Sequence, residues 1–169
     1  DLSFFTTSRS TPHPLRVLAG LSPRQMHKLI FTMNLAQSSE LIYGNLQLIY
    51  PSGEAIDYLA TSGCADWQRP GDEGVRGKGP IPAGEYEIPS EPYYLETRGV
   101  EGDFFHITPD PVISEHGIRA ELGVHFDANV PGTSGCVGLI NWEGWRGFCN
   151  RMASIANLGV KSLPLTVKY

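Results

Sequence analysis

The sequence is poor in charge, poor in cysteine and free of long apolar runs, and each shortage excludes a class of protein. Only 18% of residues are charged, and 13 Lys+Arg against 18 Asp+Glu leave a net charge of −5. A nucleic-acid binder needs a basic face to displace counterions from phosphate, so that class is set aside. Three cysteines, Cys64, Cys136 and Cys149, are too few for a disulfide framework and form no Cys-x-x-Cys pair for zinc. No stretch reaches the roughly 18 uninterrupted apolar residues of a membrane span; Leu29 to Ala36 comes nearest, and Thr32 and Asn34 break it. There is no internal repeat. The opening, from Asp1, lacks the basic-then-apolar plan of a signal peptide, so either a leader has been removed or the chain is a piece of a longer protein.

What the chain does have is length for a core and many turn-formers. At 169 residues with 41% hydrophobic composition, one domain hiding about 70% of its extended-chain surface is expected. The 19 Gly and 13 Pro are scattered without period, which favours short strands joined by loops over a helix bundle. Residues 1–21 mix Ser, Thr and Pro and read as an arm. Ser22-Pro23 has the chemistry of a helix start, and Met26, Leu29, Ile30 and Met33 follow at helical spacing, so a short helix is expected over 23–37. From Leu46 the period changes to two. Leu46 to Tyr50 and Ala55 to Ala60 flank the turn Pro51-Ser52-Gly53-Glu54 and predict a hairpin. A long Gly/Pro-rich loop over 61–84 leads into a strand at Gly84 to Ile88, and further strands are expected at 93–97, 104–108 and 122–126. Asn141 can cap a helix to about residue 156, with Trp145, Phe148, Cys149, Met152 and Ile155 on one apolar stripe, and Leu163 to Tyr169 reads as a closing strand. The reading is mainly β, divided into an N-terminal arm with its short helix over 1–45 and a β-rich domain over 46–169.

The chemistry concentrates between His125 and Gly138. Cys136 follows a glycine in the small-residue turn Thr133-Ser134-Gly135, and His125 lies at the end of the preceding strand. A thiol nucleophile needs this arrangement: small neighbours admit a substrate, and a nearby imidazole takes the proton and favours thiolate. A cysteine and a histidine alone are weak grounds, because a buried Cys is more often a small hydrophobe.

The wider pattern is more specific. Thr133-Ser134-Gly135-Cys136-Val137 resembles the Ser/Thr-x-Gly-Cys-Ile/Val signature of the L,D-transpeptidase catalytic domain family, called YkuD-like, with His125 upstream as in its members. Gly79-Pro80-Ile81-Pro82-Ala83-Gly84-Glu85-Tyr86-Glu87-Ile88 is similar to that family's Gly-Pro-Ile-Pro-x-Gly-x-Tyr-x-Ile segment, and Ser62-Gly63 to the Ser-Gly closing its preceding strand. The resemblance covers residues 46–169. It implies a β-sandwich with one helix packed after the cysteine, and acyl transfer on peptidoglycan stem peptides through a thioester on Cys136. His125 would be the base. Backbone N–H groups around Gly135 and Cys136 would hold the oxyanion, Thr133 would order the loop or line the site, and Ser134 would meet substrate. Where the family often carries Arg or Asn two residues after the cysteine, this chain has Gly138, so Arg119 is the candidate clamp for a stem-peptide carboxylate. The family needs no metal or organic cofactor and works in the cell envelope, periplasmic or secreted, on bacteria's own wall or another's.

Alternatives stay open. The same site could end in hydrolysis, as an L,D-carboxypeptidase or a wall-degrading hydrolase, or the domain could bind wall glycan or serve as a structural module without catalysis. His116, His125 and Asp127 permit a divalent-metal reading, although no H-E-x-x-H pair exists. His116-Gly117 also mimics a His-Gly pair found before the family's cysteine, but it lies farther from Cys136 in a polar, turn-like stretch. His106, in an apolar strand, reads as a hydrogen-bonded structural residue. Trp142 and Trp145 could stack on sugars, with Trp145 better placed in the core. Cys149 reads as buried, with a Cys64–Cys149 disulfide as the lesser alternative in an oxidising compartment.

Overall fold

Leu29, Phe31 and Met33 are 1%, 0% and 4% exposed, and this alternation announces a strand. The structure, a computed structural model, describes residues 26–128 and 130–169. Its strands are β1 (Lys28–Thr32), β2 (Gly44–Ile49), β3 (Ala55–Ser62), β4 (Gly84–Pro89), β5 (Tyr93–Leu95), β6 (Gly102–His106), β7 (Val112–Ser114), β8 (Gly117–Arg119), β9 (Gly123–Phe126), β10 (Val137–Leu139) and β11 (Ser162–Lys168). One helix, α1 (Trp142–Asn157), precedes β11.

The helix expected over 23–37 is corrected to a strand, β1, over Lys28–Thr32, with 26–27 and 33–37 irregular; positions 23–25, with the 1–21 arm, lie outside the described residues. The helical spacing of Met26, Leu29, Ile30 and Met33 competes with a period of two that includes Phe31, and tertiary pairing decides. β1 lies between β11, which it pairs in parallel, and β2, which it pairs antiparallel. A division at residue 45/46 would therefore cut through the sheet.

Nine strands form one sheet in the order β4-β11-β1-β2-β3-β10-β9-β6-β5, with β7-β8 a separate hairpin. The sheet curls until its β4 edge meets the segment that follows β6: Glu87 on β4 and Thr108 exchange both backbone hydrogen bonds, each at 2.9 Å. The result is the mainly β architecture that composition and turn spacing call for, sandwich-like and with a single α-helix among the described residues, as the resemblance implies. The expected β2-β3 hairpin turns at Pro51-Ser52-Gly53-Glu54.

The concave side holds the core, where Phe31, Leu46, Leu48, Phe105 and Leu165 are fully buried. α1 closes it. The Asn141 side chain accepts from the Gly144 N–H at 3.0 Å and caps the helix, whose buried face is Trp145, Phe148, Met152 and Ile155. Phe148 meets Tyr58 and Phe105 edge-on, so truncating it to Ala would cost about 3–5 kcal/mol. Trp145 belongs to this core, whereas Trp142 stays half exposed against Phe126.

Candidate active site

β9 and β10 run parallel, with Val137 opposite Val124 and Gly138 opposite His125. Val124, Val137 and Leu139 enter the core, so by strand alternation His125, Cys136 and Gly138 turn to the opposite face. The same rule puts Phe104 and His106 of β6 on that face, since Phe105 between them is core and His106 pairs with Gly123. Cys136, one residue before β10, thus lies level with Gly123, and His125 stands two residues farther along the neighbouring strand. Cys136 and His125 therefore share one face of adjacent strands, two residues out of register, and no hydrogen bond joins them.

His125 is 4% exposed and stacks on the Phe104 ring. Its Nδ1 is 2.8 Å from the Phe126 carbonyl oxygen. A carbonyl can only accept, so Nδ1 carries the hydrogen and Nε2 is the basic nitrogen. Burial pulls the His125 pKa below its ordinary value, against the opposing pulls of the Phe126 carbonyl and of Asp127. The ring is neutral at neutral pH. Burial also pushes the Cys136 thiol up to about 11, with the Gly123 N–H and the Arg119 guanidinium acting the other way. The expectation of a resting thiolate is therefore not met: the pair rests as thiol and imidazole, and the sulfur needs a base when it attacks. The Cys136 Sγ sits 3.8 Å from the Glu121 carbonyl.

The turn that carries Cys136 is tied down from several sides. Thr133 Oγ1 donates to the Cys136 carbonyl at 2.6 Å and accepts the N–H groups of Gly63 at 3.0 Å and Gly135 at 3.2 Å. The Ser62 hydroxyl donates to the Gly135 carbonyl at 3.0 Å and accepts the Ile81 N–H at 2.9 Å. Thr133 thus orders the loop, one of the two roles open to it. The Gly135 N–H is spent on Thr133, which removes it from the expected oxyanion donors and leaves the Cys136 amide as the candidate. Gly135 itself has φ +129°, and a Cβ there would stand 2.1 Å from Arg119 Nη2, so only glycine fits.

Arg119 is a strut and not the clamp expected from sequence. It is 2% exposed, and its guanidinium donates to four backbone carbonyls: Glu73 at 2.7 Å, Pro80 at 3.0 Å, Gly79 at 3.1 Å and Ser134 at 2.7 Å. With four of five N–H donors engaged, nothing bidentate remains for a substrate carboxylate. Among the described residues no carboxylate lies within 4.0 Å of it, and its charge favours a thiolate on Cys136 against the larger effect of burial. Gly138 is explained as well. A side chain there would run into Thr133 Cγ2 and Asp127 Cβ, at 2.8 and 3.0 Å from the first added carbon.

Two grooves flank Cys136, and Ser134 and Glu121 line both. One, of about 270 Å³, runs past Arg119 and the exposed Arg76. The other, of about 400 Å³, is lined by Tyr93, Leu95, Phe104, His106 and Asp110. Sequence reading missed Tyr93 and Asp110 and placed His106 in the scaffold; it is hydrogen-bonded, but its partners face the groove. The signal available was the His-x-x-x-Asp spacing of His106 and Asp110 across a Pro-containing turn.

The remaining candidates lie elsewhere or do other work. His116 sits in the β7-β8 turn, its Nε2 3.6 Å from Glu73 and 3.3 Å from Glu115. Asp127 accepts the Gly132 N–H at 2.8 Å. No cluster of three or more His, Cys, Asp or Glu able to hold a metal occurs among the described residues. All three cysteines are free thiols, which corrects the Cys64–Cys149 alternative: Cys64 Sγ lies 3.4 Å from the Thr133 carbonyl, and Cys149 packs on the core from α1. No helix among the described residues is long and apolar enough to cross a membrane. The chain matches no family model, no curated protein and no solved structure, so what the site does is read from its own atoms.

Proposed function

We propose that this domain is a cysteine acyltransferase of the L,D-transpeptidase type, acting on peptidoglycan stem peptides in the bacterial cell envelope without metal or organic cofactor. The observation that carries the reading is the His125 Nδ1 bond to the Phe126 carbonyl, which leaves Nε2 as a neutral, oriented base on the face that bears Cys136. As sulfur attacks the scissile carbonyl, Nε2 takes the thiol proton, and the Arg119 charge and the Gly123 N–H ease the rise of negative charge on sulfur. The Cys136 amide donates to the developing oxyanion. His125 then returns its proton to the leaving amine, and the acyl group remains on Cys136 as a thioester. An amine resolves it to a new cross-link, or water to a shortened peptide.

The test is to incubate the protein with disaccharide-tetrapeptide muropeptides and identify the products by mass spectrometry. Cross-linked dimers that disappear in Cys136→Ala support transpeptidation. Tripeptides would assign the site to hydrolysis, and unchanged substrate would favour a wall-binding or structural module.

A further inference from the structure

The larger groove beside Cys136 holds a second set of proton-handling groups, in which His106 Nε2 lies 3.2 Å from Asp110 Oδ2 and His106 Nδ1 lies 3.4 Å from the Tyr93 hydroxyl. A carboxylate accepts from Nε2–H, so Nδ1 is the acceptor and Tyr93 donates to it. The order is carboxylate, imidazole, hydroxyl, and all three residues line the groove that Cys136 also lines. The rings are held in place: Tyr93 packs on Phe104 and on His106, at 5.5 and 6.3 Å between centroids. His106 and Cys136 stand on either side of Gly123, which has no side chain to separate them, and the Phe104 ring covers that glycine as a floor. Two strand spacings of about 4.8 Å put roughly 10 Å between the two backbones, room for a reacting group between them.

His125 does not line this groove; it is buried behind Phe104. A nucleophile entering here meets the Tyr93 hydroxyl and not the base that activates Cys136. We propose that Tyr93, His106 and Asp110 form a relay that takes the proton of the acceptor resolving the acyl-Cys136 thioester, Tyr93 as the catalytic contact and His106 and Asp110 as the groups that make it basic. This rests on the acyltransferase reading. In the step, the acceptor amine or water attacks the thioester carbonyl, a C–N or C–O bond forms, and the C–S bond breaks with its electron pair going to sulfur. The acceptor's proton passes to Tyr93 Oη as the tyrosine's own passes to His106 Nδ1, and the imidazolium is stabilised by Asp110. The relay then releases that proton through Tyr93 to solvent, while the Cys136 thiolate takes one from solvent, so the products are the acyl-acceptor and a neutral thiol.

The experiment follows both halves of the cycle with a disaccharide-tetrapeptide substrate, reading the acylated fraction of Cys136 by intact-protein mass and the product by chromatography. Tyr93→Phe, which keeps the ring and its packing, is expected to slow product formation tenfold or more while the acylated fraction at steady state rises; Asp110→Asn should move both in the same direction by a smaller factor. Product formation by Tyr93→Phe within twofold of the parent would overturn the relay. So would a fall in product with no rise in the acylated fraction, because the hydroxyl would then serve the first step. If the parent protein itself forms neither acyl-enzyme nor product, the acyltransferase reading fails, and the relay falls with it.

Discussion

The two sides of Cys136 are built on opposite principles. On one side the turn from Thr133 to Cys136 is fastened almost entirely to backbone, by Thr133 Oγ1, by the Ser62 hydroxyl and by an Arg119 guanidinium that spends four bonds on carbonyls. On the other, β5 is a three-residue edge strand whose Tyr93 and Tyr94 are 47% and 66% exposed. The fastened side fixes where the sulfur sits and what charge it feels. The open side keeps its polar atoms facing a groove, where an incoming molecule can use them. Position and recognition are thereby separated onto different elements, and the difference can be measured.

The sharpest contrast is electrostatic. With its thiol pushed up to about 11, Cys136 should be alkylated by iodoacetamide at a rate that climbs roughly tenfold per pH unit from neutrality, about a thousandfold between pH 7 and 10. A plateau already reached below pH 8 would mean that the fastened side stabilises a thiolate. Next in size, Arg119→Met strands four carbonyls and should lower unfolding free energy by about 3–5 kcal/mol in urea denaturation. A loss below about 1 kcal/mol would remove Arg119 as the strut. Gly135→Ala forces a Cβ toward Arg119 at a positive φ and should cost about 2–3 kcal/mol. Thr133→Val, nearly isosteric, should cost about 1–2 kcal/mol through the unpaired Gly63 and Gly135 amides, with Thr133→Ser recovering most of it. On the open side, Tyr94→Ala should shift stability by less than about 0.5 kcal/mol, and a larger loss would show that the edge is also structural.

Legibility from sequence divides along the same line. The β2-β3 hairpin and α1 were readable because turn chemistry, a cap and a period are local signals, and Asn141 and the Trp145-to-Ile155 stripe lie where they predict. β1 was not, because residues 26–33 satisfy two periods and only pairing with β2 and β11 decides between them. β10 is three residues long and lies within the nucleophile turn's glycines, too short for any period. Cys136, His125 and Thr133 were legible as a group. The role of Arg119 was not, since its partners lie on remote loops and are backbone atoms, which leave no trace in side-chain identity. Tyr93, His106 and Asp110 converge only through the pairing of β5 with β6 and the turn after it.

His125, and not His116, which lies farther from Cys136 in sequence, is proposed as the base for Cys136. Acylation of Cys136 by a carbapenem, to which the resembled family is generally susceptible, tests it in one mass measurement on folded variants. The parent and His116→Ala are expected to gain the adduct mass while His125→Ala and Cys136→Ala do not; an adduct retained in His125→Ala and lost in His116→Ala would overturn the assignment.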